Sequence, residues 1–326
     1  MPNIRLGLDL YGGDNAPEST IQGAIFAIEN YLPENAEIHL FGEAEGIGEK
    51  VAKYKNIRVI KAENQIDNNT KPIQVRRLPE SSIYKGCLGL ANKEIDAFIS
   101  AGNTGALLAG GTFISGRLPG IKRPALALAL PAKNNKIKIL VDAGANAEVK
   151  PEFFYDFARI GIAYSKFMGT EDPKIAIMNI GTEEEKGSNL VKEASKILKE
   201  NNLNYVGYRE GRDIFNDDYD VALTDGFTGN MMLKTIEGTS YYIVDELKEI
   251  INRSSIFTKI GALMMKKALK GLKGKIDYRQ YGGTFFLGVN GILVKAHGSS
   301  DPKAIANALN VAYKAVENKL IDNILI

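Results

Sequence analysis

Short apolar runs alternate along this chain with longer segments whose apolar residues recur at helical spacing. The runs are rich in aliphatic and β-branched residues and end repeatedly in Gly, Asn, Asp or Thr, which is typical of strands followed by tight turns. The strands predicted from these runs are 4–10, 37–41, 57–61, 97–100, 125–130, 137–141, 174–180, 205–208 and 221–223. Because helices fill most of the intervals, the pattern predicts an α/β fold with a mostly parallel sheet.

The first apolar run predicts a strand, a turn and a helix in that order. The turn at 11–17 contains two glycines, and Pro17 stands in the first turn of a predicted helix that ends near Tyr31. The chain has no internal repeat, no low-complexity tract and no linker rich in Pro, Gly and Ser. We therefore expect a single domain over residues 1–326, with a basic segment at about 253–276.

Composition and charge narrow the class of protein. The chain has 326 residues, of which 44% are hydrophobic and 25% are charged, so it can build a large core and is not disordered. Its 41 Lys and Arg residues nearly balance its 39 Asp and Glu residues and leave a net charge of +2. This balance gives no reason to expect nucleic-acid binding.

Few residues are suited to metal or relay chemistry. Cys87 is the only cysteine, and His39 and His297 are the only histidines. An internal disulfide and a cysteine zinc cluster are excluded, and little is left for a histidine metal site or a Ser-His-Asp relay. We expect no metal and no cofactor. Without a signal-peptide pattern or an apolar stretch near the ~20 residues that span a bilayer, a cytoplasmic location is expected.

Five glycine-containing turns follow predicted strands, at 9–14, 100–105, 142–146, 179–183 and 224–230. In a parallel sheet such turns converge on one edge, where small residues let backbone N–H groups face a ligand. Any one of them reads as an ordinary tight turn, but the five together suit a phosphate-bearing ligand. The candidate binding residues in these turns are Asp9, Gly12, Gly13, Asp14, Asn103, Thr104, Asn146, Asn179, Thr182 and Asp225. No turn has the glycine spacing of a dinucleotide or nucleoside triphosphate site.

Three charged residues near these turns admit two interpretations each. Lys186 follows three acidic residues, so composition alone favours a solvated loop lysine whose charge is neutralised by its neighbours. Asp9 and Asp14 flank the first turn, where they are equally suited to capping and to catalysis.

The ordered set of turns resembles the PlsX family of phosphate acyltransferases. The resemblance extends from about residue 4 to 313. It is carried by the stretches LDLYGGDNAP (8–17), SAGNTGA (100–106), DAGAN (142–146), MNIGTE (178–183), TDGFTGN (224–230), YGGTFFLGVNG (281–291) and HGSS (297–300). The chain departs from the family pattern at Tyr11, where Met is frequent, and after Arg76-Arg77, where Leu78-Pro-Glu80 replaces two lysines.

The resemblance implies transfer of a long-chain fatty acyl group from acyl carrier protein to inorganic phosphate, which yields acyl phosphate for bacterial phospholipid synthesis. It implies a three-layer α/β/α unit related to phosphotransacetylases and isocitrate dehydrogenases, usually a homodimer. It also marks Lys186 and Asn230 as candidate catalytic residues, because both stand in matching family stretches. His297 is open between a structural hydrogen bond near its turn and a contact in the site.

Acyl transfer to phosphate needs no covalent intermediate, since phosphate is nucleophilic and a thioester is activated. Our hypothesis is that glycine amides with Asn103 and Thr104 hold phosphate. Lys186 offsets its charge, and Asn230 donates to the carbonyl oxygen that becomes an oxyanion. Cys87 is then left with a structural role.

The segment 253–276 carries seven Lys and Arg residues and no acidic residue. Its apolar residues lie on one broad arc of a helical wheel and most lysines on the other side, which predicts an imperfect amphipathic helix. Such a helix is open to three interpretations: packing on the core, contact with an acidic carrier protein, or contact with an anionic membrane surface, which the resemblance also implies. The predicted membrane-facing residues are Ile256, Phe257, Ile260, Leu263 and Met264.

Two other functions compete with the main hypothesis. A phosphotransacetylase-like enzyme would take its acyl group from coenzyme A, and its phosphate-binding stretches would look alike. A noncatalytic membrane adaptor for acyl carrier protein would form no acyl phosphate. A nicotinamide dehydrogenase is disfavoured because the dinucleotide glycine pattern is missing.

Overall fold

The computed structural model describes residues 3–67, 69–265 and 283–325. Its strands are β1 (Ile4–Asp9), β2 (Ala36–Phe41), β3 (Ile57–Ile60), β4 (Ala97–Ser100), β5 (Ala125–Pro131), β6 (Ile137–Val141), β7 (Ile175–Asn179), β8 (Tyr205–Glu210), β9 (Val221–Leu223), β10 (Thr284–Leu287) and β11 (Ile292–Lys295). Its α-helices are α1 (Glu18–Asn30), α2 (Ile47–Val51), α3 (Ser82–Ala91), α4 (Thr104–Gly110), α5 (Phe153–Phe167), α6 (Asn189–Glu200), α7 (Gly226–Arg253), α8 (Ile256–Met264), α9 (Pro302–Glu317) and α10 (Leu320–Leu325). The lysine-rich end of the basic segment and Tyr281-Gly282 of the family-like stretch lie outside the described residues.

The eleven strands form one sheet in the order β3-β2-β1-β4-β11-β10-β5-β6-β9-β7-β8. Seven of the ten neighbouring strand pairs are parallel, and the three antiparallel pairs all involve β10 or β5. The predicted mostly parallel α/β sheet is therefore confirmed.

Both faces of the sheet are covered by helices. Alternate residues along the strands point to opposite faces, so Leu8 and Ile99 belong to one buried cluster, whereas Phe98 and Leu126 belong to the other. The first cluster packs against α1, α5, α6 and α9, and the second against α3, α4 and the first turns of α7. These layers give the α/β/α architecture that the resemblance implies.

The parallel strands of the two halves run in opposite directions, because β10 and β5 lie antiparallel between them. The turns that follow β1, β4 and β11 lie at one edge of the sheet. Those that follow β6, β7 and β9 lie at the other edge. The expectation that all five glycine turns share one edge is therefore wrong, since it assumed a sheet of uniform direction.

Two central strands are missing from the strands predicted above. Thr284–Leu287 and Ile292–Lys295 form a short hairpin that joins the two halves of the sheet. Each strand has only four residues, and the turn between them contains two glycines with positive φ, Gly288 (+94°) and Gly291 (+99°). Runs this short inside a glycine-rich stretch give a weak periodic signal, so the sequence marks a turn here and not a strand pair.

Helix α7 buries side chains only near its start, and α8 buries none. Phe257 is 80% exposed and Met264 is 82% exposed. Packing of this segment on the core, one of the interpretations left open by the sequence, is therefore wrong for the part of the helix that the structure describes.

Candidate active site

The turn after β1 is held by a buried carboxylate. Asp9 is 2% exposed and accepts hydrogen bonds from the Ser100 hydroxyl (2.6 Å) and the Tyr11 backbone N–H (3.2 Å). The Ser100 Oγ in turn accepts from the Gly102 N–H (3.0 Å). Burial raises the pKa of Asp9, against the hydrogen bonds that lower it. Asp9 therefore holds the turns after β1 and β4 together from a buried position, and it lines none of the three cavities defined below.

Glycines let three turns of this edge approach one another. A Cβ at Gly12 would lie 2.8 Å from the backbone nitrogens of Ala101 and Gly102, so no larger residue fits. Gly13 has φ +108°, which favours glycine, and the next residue, Asp14, donates its N–H to the Gly298 carbonyl (2.8 Å). Three of the predicted residues thus lie together in one corner of the sheet edge.

This corner forms a cavity of about 450 Å³, which we call the β1–β4 cavity. Its wall includes Gly13, Asp14, Asp67, Gly102, Asn103, Thr104 and Lys295. Asn103 caps α4: its side-chain oxygen accepts from the Ala106 N–H (2.9 Å), and its Nδ2 donates to the Asp67 carbonyl (2.8 Å). Two carboxylates in the wall make this cavity a poor place for a dianion.

Lys295 is a residue that the sequence reasoning missed. It ends β11, is partly buried, and donates from Nζ to the backbone carbonyls of Ala101 (3.1 Å) and Ala296. Burial lowers its pKa to about 8, while Asp9 and Asp14 act in the opposite direction. An ammonium has three N–H donors, so one is left for a ligand. The sequence signal that could have identified Lys295 is its position at the end of the apolar run 292–294. That run was not predicted as a strand, so the signal went unused.

The opposite edge is organised by a second buried carboxylate, Asp142. It accepts from the backbone N–H groups of Leu126 (3.0 Å), Gly144 (3.1 Å), Ala145 (2.9 Å) and Asn146 (2.8 Å). The Asn146 side chain donates to Asp142 (2.7 Å) and to the Pro124 carbonyl. The Asn146 side chain thus stabilises the turn to which it belongs.

Helix α7 begins against that turn and carries Asn230 into the site. Asp225 caps the helix, because its carboxylate accepts from the Thr228 N–H and hydroxyl (both 2.8 Å). A Cβ at Gly229 would lie 2.0 Å from the Asp142 carbonyl oxygen, so this glycine permits the close approach. Gly144 faces Asn230, and a Cβ there would lie 3.3 Å from the Asn230 Cβ.

A second cavity, of about 280 Å³, draws residues from both edges of the sheet, and we call it the central cavity. Its wall includes Thr104, Ala143, Asn230, Lys234, Lys295 and His297, and no carboxylate among the described residues. Lys234 is paired with Glu237 (2.7 Å), whereas Lys295 is held by carbonyls. The wall therefore combines cations, hydroxyl groups and an amide with an apolar lining that includes Leu126, Leu233 and Ala308, around a space large enough for phosphate.

His297 lines the central cavity. Its imidazole is exposed, and Nδ1 lies 2.9 Å from the Ser299 hydroxyl and accepts from the Ser299 N–H (3.2 Å). His297 thus makes the structural hydrogen bonds expected within its own turn, and it also lines the central cavity.

Lys186 lies on the loop after β7, at the same edge as Asn230. Because β7 and β9 are parallel neighbours, this loop and the start of α7 leave the same edge of the sheet from adjacent strands. Asn179 fixes the loop by donating from Nδ2 to the Lys186 carbonyl (3.2 Å), and Gly187 next to it has φ +93°. Lys186 and Thr182 are exposed, and neither lines the central cavity.

Cys87 is no nucleophile. It is fully buried, and burial raises the pKa of its thiol to about 12, so it carries no thiolate near neutral pH. Among the residues that the structure describes, no three His, Cys, Asp or Glu side chains are grouped to hold a metal ion. No helix in the described part of the chain is both long and apolar enough to cross a bilayer.

Solved structures with this architecture include a phosphotransacetylase from Streptococcus pyogenes. It is 14% identical, with a TM-score of 0.65, over 97% of this chain and 94% of that one. The fold kinship with phosphotransacetylases that the resemblance implies is therefore confirmed.

Sequence comparisons identify the family. A family model described as "Fatty acid synthesis protein" matches residues 4–323. A phosphate acyltransferase of Petrotoga mobilis is 59% identical over 99% of each chain. One of Alkaliphilus oremlandii is 46% identical over 98% of this chain and 96% of its own. The chain therefore belongs to the PlsX family of phosphate acyltransferases and is an acyltransferase.

Proposed function

We propose that this enzyme transfers a long-chain fatty acyl group from acyl carrier protein to inorganic phosphate, and that the acyl phosphate supplies phospholipid synthesis. The observation that carries the proposal is the central cavity. It brings Lys295 and Thr104 from one edge of the sheet to Asn230 from the other, with no described carboxylate in its wall. A small dianion is the ligand that such a wall favours.

The proposed reaction is a direct displacement. A phosphate oxygen attacks the thioester carbonyl carbon, the new C–O bond forms, and the C–S bond breaks. The carrier leaves as a thiolate and takes up the proton that phosphate brought. Because the thioester is already activated, positioning and oxyanion stabilisation are the main demands on the protein.

We assign these demands to separate groups of the central cavity. Lys295 and the Thr104 hydroxyl would bind phosphate, with the ammonium offsetting its charge, and both residues line the cavity. Asn230, which lines the cavity from α7, would donate to the carbonyl oxygen without adding a titratable group. Lys186 remains our second catalytic candidate, on the loop after β7, which leaves the same edge of the sheet as the start of α7. Asn103 acts through the capped start of α4.

The decisive experiment uses the purified chain with long-chain acyl carrier protein and ³²P-labelled phosphate. We expect labelled acyl phosphate, identified by mass, and free carrier thiol in equal amount. Acyl coenzyme A is the matched alternative donor. A higher kcat/KM with coenzyme A would favour a phosphotransacetylase-like enzyme, and no acyl phosphate from either donor would overturn the proposal.

We also propose that the enzyme works as a cytoplasmic homodimer at an anionic membrane surface. The apolar face of α8, with its five predicted membrane-facing residues, is exposed in the described structure. Exposed apolar residues flanked by lysines are suited to an anionic bilayer surface. Co-sedimentation of α8 variants with anionic vesicles and light scattering without lipid test this proposal.

A further inference from the structure

A third cavity opens beside the site and plays no part in the chemistry described above. It is a groove of about 430 Å³ between α4, the short 3₁₀ helix Pro72–Arg77 and the loop 117–124. Its apolar wall includes Leu108, Phe113 and Phe286, and Arg117, Lys122 and Arg123 also line it. We call it the basic groove.

Neutral acceptors bind the two arginines of the basic groove. Arg117 donates to the Lys122 carbonyl (2.7 Å), and the Arg123 Nε donates to the Asn146 side-chain oxygen. In the described part of the chain, none of the three forms a salt bridge with a carboxylate. The nearby Asp156 is buried, and it accepts from the backbone N–H groups of Lys122 and Arg123.

The positive surface continues beyond the groove. The Arg76 guanidinium lies over the Phe113 ring, 5.4 Å from its centroid, and Phe113 is 56% exposed. Arg77 follows on the same short helix and is exposed. The groove therefore has an apolar wall and a cationic rim, a combination that suits an extended ligand with an anionic group at its outer end.

The inner end of the groove meets the site. Gly105 lines both the basic groove and the β1–β4 cavity, and the preceding residue, Thr104, lines the central cavity. A Cβ at Gly105 would lie 2.6 Å from the Pro72 Cγ, so glycine here lets the 3₁₀ helix close on α4. A ligand in the groove thus ends next to the groups that we assign to phosphate.

We propose that the basic groove holds the acyl-phosphopantetheine arm of the carrier-bound donor. This inference rests on the proposed function. The apolar wall packs along the arm, Arg117 and Lys122 pair with its phosphodiester, and the outer arginines face the acidic carrier. The thioester then reaches the turn at Thr104-Gly105. A free coenzyme A donor shares the phosphopantetheine chemistry but lacks the acidic carrier.

The test compares Arg117→Gln/Lys122→Gln with a control, Lys55→Gln/Lys196→Gln, which removes two exposed charges elsewhere. With acyl carrier protein as donor and saturating phosphate, we expect the groove variant to raise the donor KM roughly fivefold or more, from lost charge pairing. The KM for phosphate should stay unchanged. With an acyl-pantetheine thioester that lacks the phosphate and the carrier, the groove variant and the wild type should perform alike.

Loss of the Arg117 hydrogen bond could unfold its loop, so melting temperatures are measured for all variants. A second variant, Arg76→Gln, leaves that hydrogen bond intact. We expect Arg76→Gln to raise the KM for acyl carrier protein and to leave the KM for acyl coenzyme A unchanged. If neither Arg117→Gln/Lys122→Gln nor Arg76→Gln changes the donor KM, while the wild type forms acyl phosphate, the groove assignment alone is overturned. An equal rise with acyl-pantetheine, or a rise confined to coenzyme A, also overturns it. No acyl phosphate from the wild type overturns the proposed function instead.

Discussion

Lys295 is the cation best placed to bind phosphate, and its environment predicts a pH dependence. Burial lowers its pKa to about 8, so the ammonium is charged below that pH and becomes neutral as the pH rises through it. Phosphate affinity should therefore fall above about pH 8. We expect Lys295→Met to raise the KM for phosphate about tenfold or more at pH 7, as for a lost charged hydrogen bond.

Lys295→Arg is the control, because arginine keeps its charge at any accessible pH. It should retain phosphate binding and flatten the alkaline fall of kcat/KM for phosphate, which steady-state kinetics between pH 6 and 10 would measure. If Lys295→Met bound phosphate as the wild type does, the central cavity would not be the phosphate site.

Asn230 and Lys186 test the catalytic assignment. Loss of one oxyanion donor typically lowers turnover by about 10² to 10³, so Asn230→Ala should lower kcat by about 10² with little change in the KM for phosphate. Lys186→Ala should also lower turnover. Steady-state kinetics with acyl carrier protein would measure both, and near-normal kcat in both variants would reject the assignment.

For single residues, the sequence predicted where the turns lie but not the role of each side chain within them. Asp9 was suited equally to capping and catalysis, and its partner Ser100 stands 91 residues away, so only the fold could show that it braces two turns. Asn146 and Asp225 prove to hold their own turn and helix. Lys295 was missed because its binding role depends on the carbonyls and the cavity that surround it, and these come together only in the fold.

Among the elements, the start of α7 depends on a close approach to the turn after β6. Gly229→Ala would place a methyl group 2.0 Å from the Asp142 carbonyl oxygen, so the helix must shift and Asn230 with it. We expect a loss of roughly 1–3 kcal/mol in the free energy of unfolding, with lower turnover.

Gly238→Ala, farther along the same helix, is the matched control. A Cβ there meets nothing within 4 Å, so alanine should add about 0.5–1 kcal/mol of stability through helix propensity. Chemical denaturation and kinetics on both variants would measure these effects. Equal stability of the two variants would contradict the proposed packing of α7.

The elements show where sequence reasoning was sufficient. Strands β4, β6 and β9 have the bounds that their apolar runs predict, because buried parallel strands read as continuous hydrophobic runs. The β10–β11 hairpin was not predicted, since its four-residue strands sit between glycines. This omission also hid the change of strand direction, and hence the division of the glycine turns between two edges.

For the whole molecule, the central hairpin explains how two edges can serve one site. Strand β10 is only four residues long, so the ends of the neighbouring strands stay close across it. The start of α7 and the start of α4 both line the central cavity, together with Thr284 at the start of β10. The reversal of strand direction thus brings Asn230 to Lys295 from the other half of the sheet.

The exposed apolar face of α8 gives the last prediction. Leu263→Glu/Met264→Glu places charge on the apolar face of α8 and should abolish co-sedimentation with anionic phosphatidylglycerol vesicles. Leu263→Ser/Met264→Ser, which removes apolar area without adding charge, should weaken it as well. Leu325→Glu, at an exposed apolar residue on α10, is the control and should bind as the wild type does.

The same variants separate a membrane from a second copy of the chain, because light scattering reports the oligomeric state without lipid. A membrane face predicts lost vesicle binding with an unchanged dimer, and binding that weakens with salt as the lysines are screened. Unchanged vesicle binding in both double variants would exclude this face from the membrane. Dissociation to monomers with vesicle binding intact would assign the face to the partner subunit, since apolar area then stabilises the dimer and not the lipid contact.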